Sequence, residues 1–65
     1  MIYVNGNQMS NADNLSLSDY LVREGYTISC VAVECNDFIV PKARYEEKIL
    51  IDGDVIEVVS FVGGG

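Results

Sequence analysis

The sequence predicts an α+β fold in which four or five strands form a mixed sheet and one helix packs across one face. Three observations carry that reading: an Asn5-Gly6 pair between strand-like runs, one helical signature at residues 16–25, and β-rich stretches at 29–40 and 55–62. With 65 residues the chain is long enough for one domain. A domain this size buries only about 60% of the surface its unfolded chain exposes, so helix and sheet must share one small core. At 49% hydrophobic residues it is too apolar to remain disordered despite its charge.

The first strand covers residues 1–5 and the second residues 7–11, antiparallel to it. Asn5-Gly6 joins them because Asn and Gly tolerate the positive φ angles of a two-residue type I′ turn. The second strand is polar and reads as an edge. Residues 11–14 form a polar connection.

Ser16-Leu17-Ser18-Asp19 opens the helix. Ser16 accepts from free backbone N–H groups, and Asp19, three residues on, favours the positive end of the helix dipole. Leu17, Tyr20 and Leu21 stand at i, i+3 and i+4 and give one apolar stripe. Gly25 ends the helix by taking the left-handed conformation.

Ser29 to Cys35 reads as a strand, Asn36-Asp37 as a tight turn, and Phe38 to Val40 as a short strand stopped by Pro41, which cannot donate to a ladder. Residues 42–49 are charged and mixed, with Tyr45 as the one large side chain, and read as an irregular connection or one helical turn. Asp52-Gly53-Asp54 is a turn, and Val55 to Val62 is the longest β run. No period recurs. A helix lying across one face of the sheet, with the first and last strands parallel and adjacent, satisfies every element and supplies the crossover a parallel pairing needs. That is the β-grasp arrangement. Residues 1–62 make the domain, and Gly63-Gly64-Gly65 form a flexible tail.

Composition excludes several functions. Ten acidic against four basic side chains give a net charge of −6, which repels phosphate backbones and anionic membrane surfaces and attracts a partner with a basic face. Neither nucleic acid nor membrane is an expected partner. Histidine is absent, which removes the commonest general base and metal ligand, so neither a self-contained hydrolase nor a zinc enzyme is expected. No targeting segment is expected, and the cytoplasm is the predicted compartment. Cys30 and Cys35 fall in one predicted strand at an odd offset. They lie on opposite faces about 16 Å apart, against the roughly 7 Å a disulfide allows between Cα atoms. Cys35, in phase with Val31 and Val33, is expected in the core; Cys30 shares the other face with Ala32 and Glu34. Both read as structural thiols rather than reactive ones.

Two features point to function. The tail glycines lack side chains, so they read either as a frayed end or as a slender arm that carries a carboxylate at Gly65 through a narrow channel. Three extended residues reach about 10 Å. In the last strand Ile56 and Val58 share one face, while Val55, Glu57, Val59 and Phe61 share the other. Glu57 marks its face as the open one. Val59 and Phe61, with Tyr3 on a neighbouring strand, then form an apolar patch beside the tail that reads as a docking surface, unless a bulge near Ser60 turns Phe61 inward. Asp52, Asp54, Glu46 and Glu47 read as a solvated rim; the two aspartates lack the further spaced ligands of a calcium loop.

Four blocks in order, Val31-Ala-Val-Glu-Cys-Asn36, Ile39-Val-Pro-Lys42, Asp52-Gly-Asp-Val-Ile-Glu57 and Phe61-Val-Gly-Gly-Gly65, resemble the sulfur-carrier proteins of thiamine biosynthesis, the ThiS family of the ubiquitin-like β-grasp superfamily. The resemblance spans the whole chain. It implies that a separate E1-like, ThiF-like enzyme uses ATP to adenylate the carboxylate of Gly65, with Gly63 and Gly64 threading the partner's active site. A thiocarboxylate then forms with sulfur from a cysteine desulfurase or persulfide donor and passes to a ThiG-like thiazole synthase. The chain would be a carried substrate that binds no cofactor itself, docking through Tyr3, Glu57, Val59 and Phe61. Tyr45 stands where the family commonly has Trp, and Cys35 where an aliphatic residue is usual. Three alternatives remain at this level: the small subunit of molybdopterin synthase, a ubiquitin-like protein modifier, and a β-grasp binding module with an incidental glycine end.

Overall fold

The computed structural model describes residues 1–61. Five strands, β1 (Ile2–Val4), β2 (Asn7–Met9), β3 (Val31–Cys35), β4 (Phe38–Val40) and β5 (Val55–Ser60), form one sheet in the order β2-β1-β5-β3-β4. β5 lies between β1, its parallel neighbour, and β3, which runs antiparallel to it. The helix α1 (Leu17–Arg23) follows β2, and 3₁₀ turns occupy Ile28–Cys30 and Lys42–Arg44.

Both hairpins turn as the sequence predicts. Asn5 and Gly6 have φ of 52° and 82°, and Asn36 and Asp37 have φ of 52° and 72°, two successive positive angles in each case. The Ser16 hydroxyl accepts from the Asp19 N–H at 3.0 Å. The helix closes through the bonds Gly25 N to Val22 O and Tyr26 N to Leu21 O, with Gly25 at φ 87°. That double bond pattern is a Schellman motif, which satisfies carbonyls the helix end would otherwise leave open.

Leu17, Tyr20 and Leu21 bury one helical stripe against Ile2, Val4, Val31, Val33, Ile56 and Val58 of the sheet. Tyr45 and Leu50 close the core from the long connection before β5. That connection also holds the start of the helix: Leu17 N–H donates to Lys48 O at 2.7 Å and Ser18 N–H to Tyr45 O at 2.9 Å. Backbone groups that α1 cannot satisfy internally are thus met by a loop.

Three boundaries differ from expectation by two residues. β2 stops at Met9 rather than residue 11, where Asn11 turns to φ 61°. β3 begins at Val31 rather than Ser29, because Ile28–Cys30 wind into a 3₁₀ turn closed by Cys30 N to Thr27 O. Cys30 therefore stands before the strand and is half-buried instead of alternating with Ala32 and Glu34. β5 ends at Ser60 because its partner does: Val31 opposite Ser60 is the last pair of the β3–β5 ladder.

The expected solvated rim also needs one correction. Asp54 is only 4% exposed. Its carboxylate accepts from Ile51 N–H at 3.0 Å and the Asn36 amide at 3.1 Å, and Lys48 Nζ stands 3.5 Å away. Burial alone would push this acid up, but those donors and the Lys48 charge hold it below the ordinary carboxylate value.

Candidate functional site: the open sheet face and the root of the tail

β5 alternates as its sequence requires. Ile56 and Val58 are buried, while Val55, Glu57 and Val59 face outward on the side of the sheet away from α1. Across the β3 ladder Ala32 is opposite Val59 and Glu34 opposite Glu57; across the next ladder Ile39 is opposite Glu34. Ala32, Glu34, Ile39, Glu57 and Val59 surround a shallow hollow of about 170 Å³. Val59 is 61% exposed and Ile39 76%.

The hollow contains an electrostatic conflict. Glu34 and Glu57 are directly opposed carboxylates, an arrangement that disfavours the sheet. Among the described residues neither forms a salt bridge. Apolar walls around an uncompensated pair of negative charges fit a basic side chain from outside the domain.

Of the predicted docking residues, the structure brings Glu57 and Val59 together here and leaves Tyr3 at the far end. Tyr3 pairs with Val55, and the four residues from there to Val59 span about 13 Å of strand. Phe61 lies just past β5, 45% exposed, so no bulge turns it into the core. Its N–H donates to Cys30 O at 2.9 Å, and Lys42 Nζ lies 5.6 Å from its ring centroid. Gly63, Gly64 and Gly65 lie outside the described residues.

Cys35 is buried, and burial, followed by the nearby Asp54 charge, pushes its thiol up, away from the reactive thiolate. Cys30 is free, with its sulfur 3.9 Å from the Ser29 hydroxyl. Among the described residues no three His, Cys, Asp or Glu side chains gather in a metal-binding group, and no helix is long and apolar enough to cross a membrane.

Sequence reasoning missed Glu34, Ile39 and Ala32 as neighbours of Glu57 and Val59. The alternation in Val31-Ala-Val-Glu-Cys35 does place Ala32 and Glu34 on the outer face, but the register that sets Glu34 against Glu57 is not local information. It also missed Lys42, whose ammonium reaches back to the start of β3.

Comparison with known proteins agrees with this architecture. The family model described as "ThiS family" matches residues 2–65. The sulfur carrier protein ThiS of Bacillus subtilis (strain 168) is 41% identical over 66 residues, covering all of both chains. A thiazole synthase of Paramagnetospirillum magneticum is 36% identical over 64 residues, but this chain spans 20% of that protein's length. Among solved structures, the crystal structure of the thiamine biosynthesis protein ThiS from Geobacter metallireducens superposes with a TM-score of 0.76 at 27% identity, covering 98% of this chain and 97% of that one. The five-stranded mixed sheet with its one packed helix and the near-complete sequence match have a common explanation: this chain belongs to the ThiS family.

Proposed function

We propose that this protein is a sulfur carrier for thiazole formation in thiamine biosynthesis, and that the carboxylate of Gly65 carries the sulfur. The observation that supports this most is the end-to-end relationship to the Bacillus subtilis sulfur carrier, 41% identical with both chains fully covered. Thiazole synthase is the proposed acceptor, in keeping with the thiazole synthase of which one fifth resembles this chain.

The chemistry requires a partner enzyme. A carboxylate is a poor electrophile, and transfer of AMP from ATP turns one oxygen into a leaving group while pyrophosphate departs. The outer sulfur of a persulfide, formed by a cysteine desulfurase or another donor, then displaces AMP to give an acyl disulfide. A thiol that becomes oxidised to a disulfide with the donor's sulfur cleaves it and leaves the thiocarboxylate. ATP belongs to the E1-like adenylating enzyme, so the carrier itself is a co-substrate and not a catalyst. Gly63 and Gly64 offer the least bulk a chain can present to a narrow active site. The open face around Glu57 and Val59, with Phe61 beside it, supplies the docking surface, and the net charge of −6 favours a partner with a basic rim. We place this work in the cytoplasm, where Cys30 and Cys35 remain free thiols.

The test is ATP–pyrophosphate exchange by the adenylating enzyme from the same cell. Exchange should depend on this protein and be lost on deleting Gly65, which withdraws the reacting carbon by one residue, about 3.5 Å. The thermal melt should be unchanged. Exchange at the normal rate with the shortened chain rejects the proposal.

A further inference from the structure

The block Ile39-Val40-Pro41-Lys42 carries the resemblance to the family but has no part in the docking surface beyond Ile39. Its structure gives it a purpose. Val40 is buried opposite Val33 and fixes the end of β4. Pro41, at φ −64° and ψ 146°, ends the strand and starts the 3₁₀ turn Lys42–Arg44. The turn sends Lys42 back across the sheet, where Nζ donates to Val31 O at 2.9 Å and to Ser29 O at 3.5 Å. The same ammonium stands 5.6 Å from the centroid of the Phe61 ring, within cation–π range. Phe61 is in turn tied by its own N–H to Cys30 O at 2.9 Å. One cation thus joins the start of β3 to Phe61, the residue after β5 and the last described one.

We propose that Lys42 is a positioning residue for the reaction at Gly65, fastening Phe61 so that the tail departs from a fixed root. This deepens the carrier reading and rests on it. Four extended residues span about 14 Å, so a tilt of about 10° at Phe61 moves the far end by roughly 2 Å. Reacting groups displaced by about 1 Å can lose two orders of magnitude in rate. Fixing the root also removes freedom that binding would otherwise have to quench. The ammonium is the group suited to the task because it can donate to two carbonyls and meet a π face at once, which no uncharged side chain of that length does.

The experiment compares wild-type protein, Lys42→Met and Lys42→Arg in ATP–pyrophosphate exchange with the adenylating enzyme of the same cell, over a range of carrier concentrations. Lys42→Met keeps the length of the stem and loses the ammonium. Its kcat should fall by about tenfold, while KM for the carrier changes less than about twofold, because Glu57, Val59 and the Phe61 ring itself are all retained. Hydrogen exchange at the Phe61 amide should speed up in the same variant. Lys42→Arg, which keeps charge, donors and stacking, should restore both. Exchange by wild-type protein with an unchanged kcat in Lys42→Met overturns the role of Lys42 alone. So does a loss confined to KM, or an equal loss in Lys42→Arg. Wild-type protein that supports no exchange contradicts the carrier reading and the role of Lys42 with it.

Discussion

The side-chain amide of Asn5 pairs with both backbone groups of Val58, 53 residues further along the chain: Oδ1 accepts from the N–H at 2.8 Å and Nδ2 donates to the carbonyl at 3.2 Å. The Asn5 N–H also donates to Ile56 O at 2.9 Å. Asn5 therefore turns the first hairpin and, with its side chain, extends the parallel β1–β5 ladder past the end of β1. Asn36 repeats the device at the other hairpin, exchanging backbone and side-chain bonds with Val55. Both turns grip β5, the strand that leads to the tail.

Asn5→Gly keeps the positive φ accessible and removes only the side-chain bonds. It should destabilise the fold by about 1–3 kcal/mol, from two lost hydrogen bonds. Asn5→Ala should cost more, since φ 52° disfavours a residue with Cβ and no compensating bond. Urea unfolding of the two variants beside wild type checks the order. Equal stability of Asn5→Gly and wild type contradicts the ladder role.

Asp54 makes the fold sensitive to acid. Its carboxyl titrates lower in the folded chain than in the unfolded one, whose value is about 3.9. Its contribution is therefore complete above the unfolded value and lost as pH falls through the folded one. Asp54→Asn should be less stable than wild type at pH 7, and the gap should narrow steadily as pH drops below about 4. Urea midpoints of both proteins across that range measure it; a gap independent of pH contradicts the assignment.

Glu34 and Glu57 oppose one another without a compensating cation among the described residues. Glu57→Gln should stabilise the free protein by a few tenths of a kcal/mol, roughly 0.2–1. The same change should slow association with the adenylating enzyme at low salt and flatten its salt dependence. Thermal melts and stopped-flow association give the two readings. Faster or unchanged association would remove the pair from the docking surface.

Sulfur chemistry should not need either cysteine. Cys30→Ser should transfer sulfur at the wild-type level, and Cys35→Ala should do so at a cost of about 1 kcal/mol in stability from a small cavity. Thiocarboxylate yield measured beside a urea titration separates the two effects. Loss of yield in folded Cys30→Ser contradicts a carrier that works through its terminus alone.

Much of the domain could be read from local chemistry. Asn5-Gly6, the Ser16 cap with Asp19, Gly25 and the alternation from Val55 to Val59 each depend on residues within a few positions, and each forms as expected. Asp54 did not read correctly because Asp52-Gly53-Asp54 looks like any polar turn. Its burial is decided by Asn36 and Lys48, which reach it from elsewhere in the fold. The start of β3 was misplaced for a related reason: Ser29 and Cys30 have ordinary strand character, but Ile28–Cys30 wind into a 3₁₀ turn closed by Cys30 N to Thr27 O. The outer face of β5 was legible, whereas the Glu34–Glu57 opposition and the reach of Lys42 to Phe61 depend on register and on a loop path that no local pattern encodes. The tail glycines were legible as composition, and they lie outside the described residues.

The central claim is that sulfur travels on Gly65, and the intact mass of the protein purified from its own cell tests it most directly. A fraction of the molecules should be heavier by the difference between one sulfur and one oxygen atom, and fragmentation should place the gain on Gly65. That fraction should disappear when the adenylating enzyme is deleted. A mass that never departs from the carboxylate form in cells actively making thiazole, or a gain located on Cys30 or Cys35, would contradict the account.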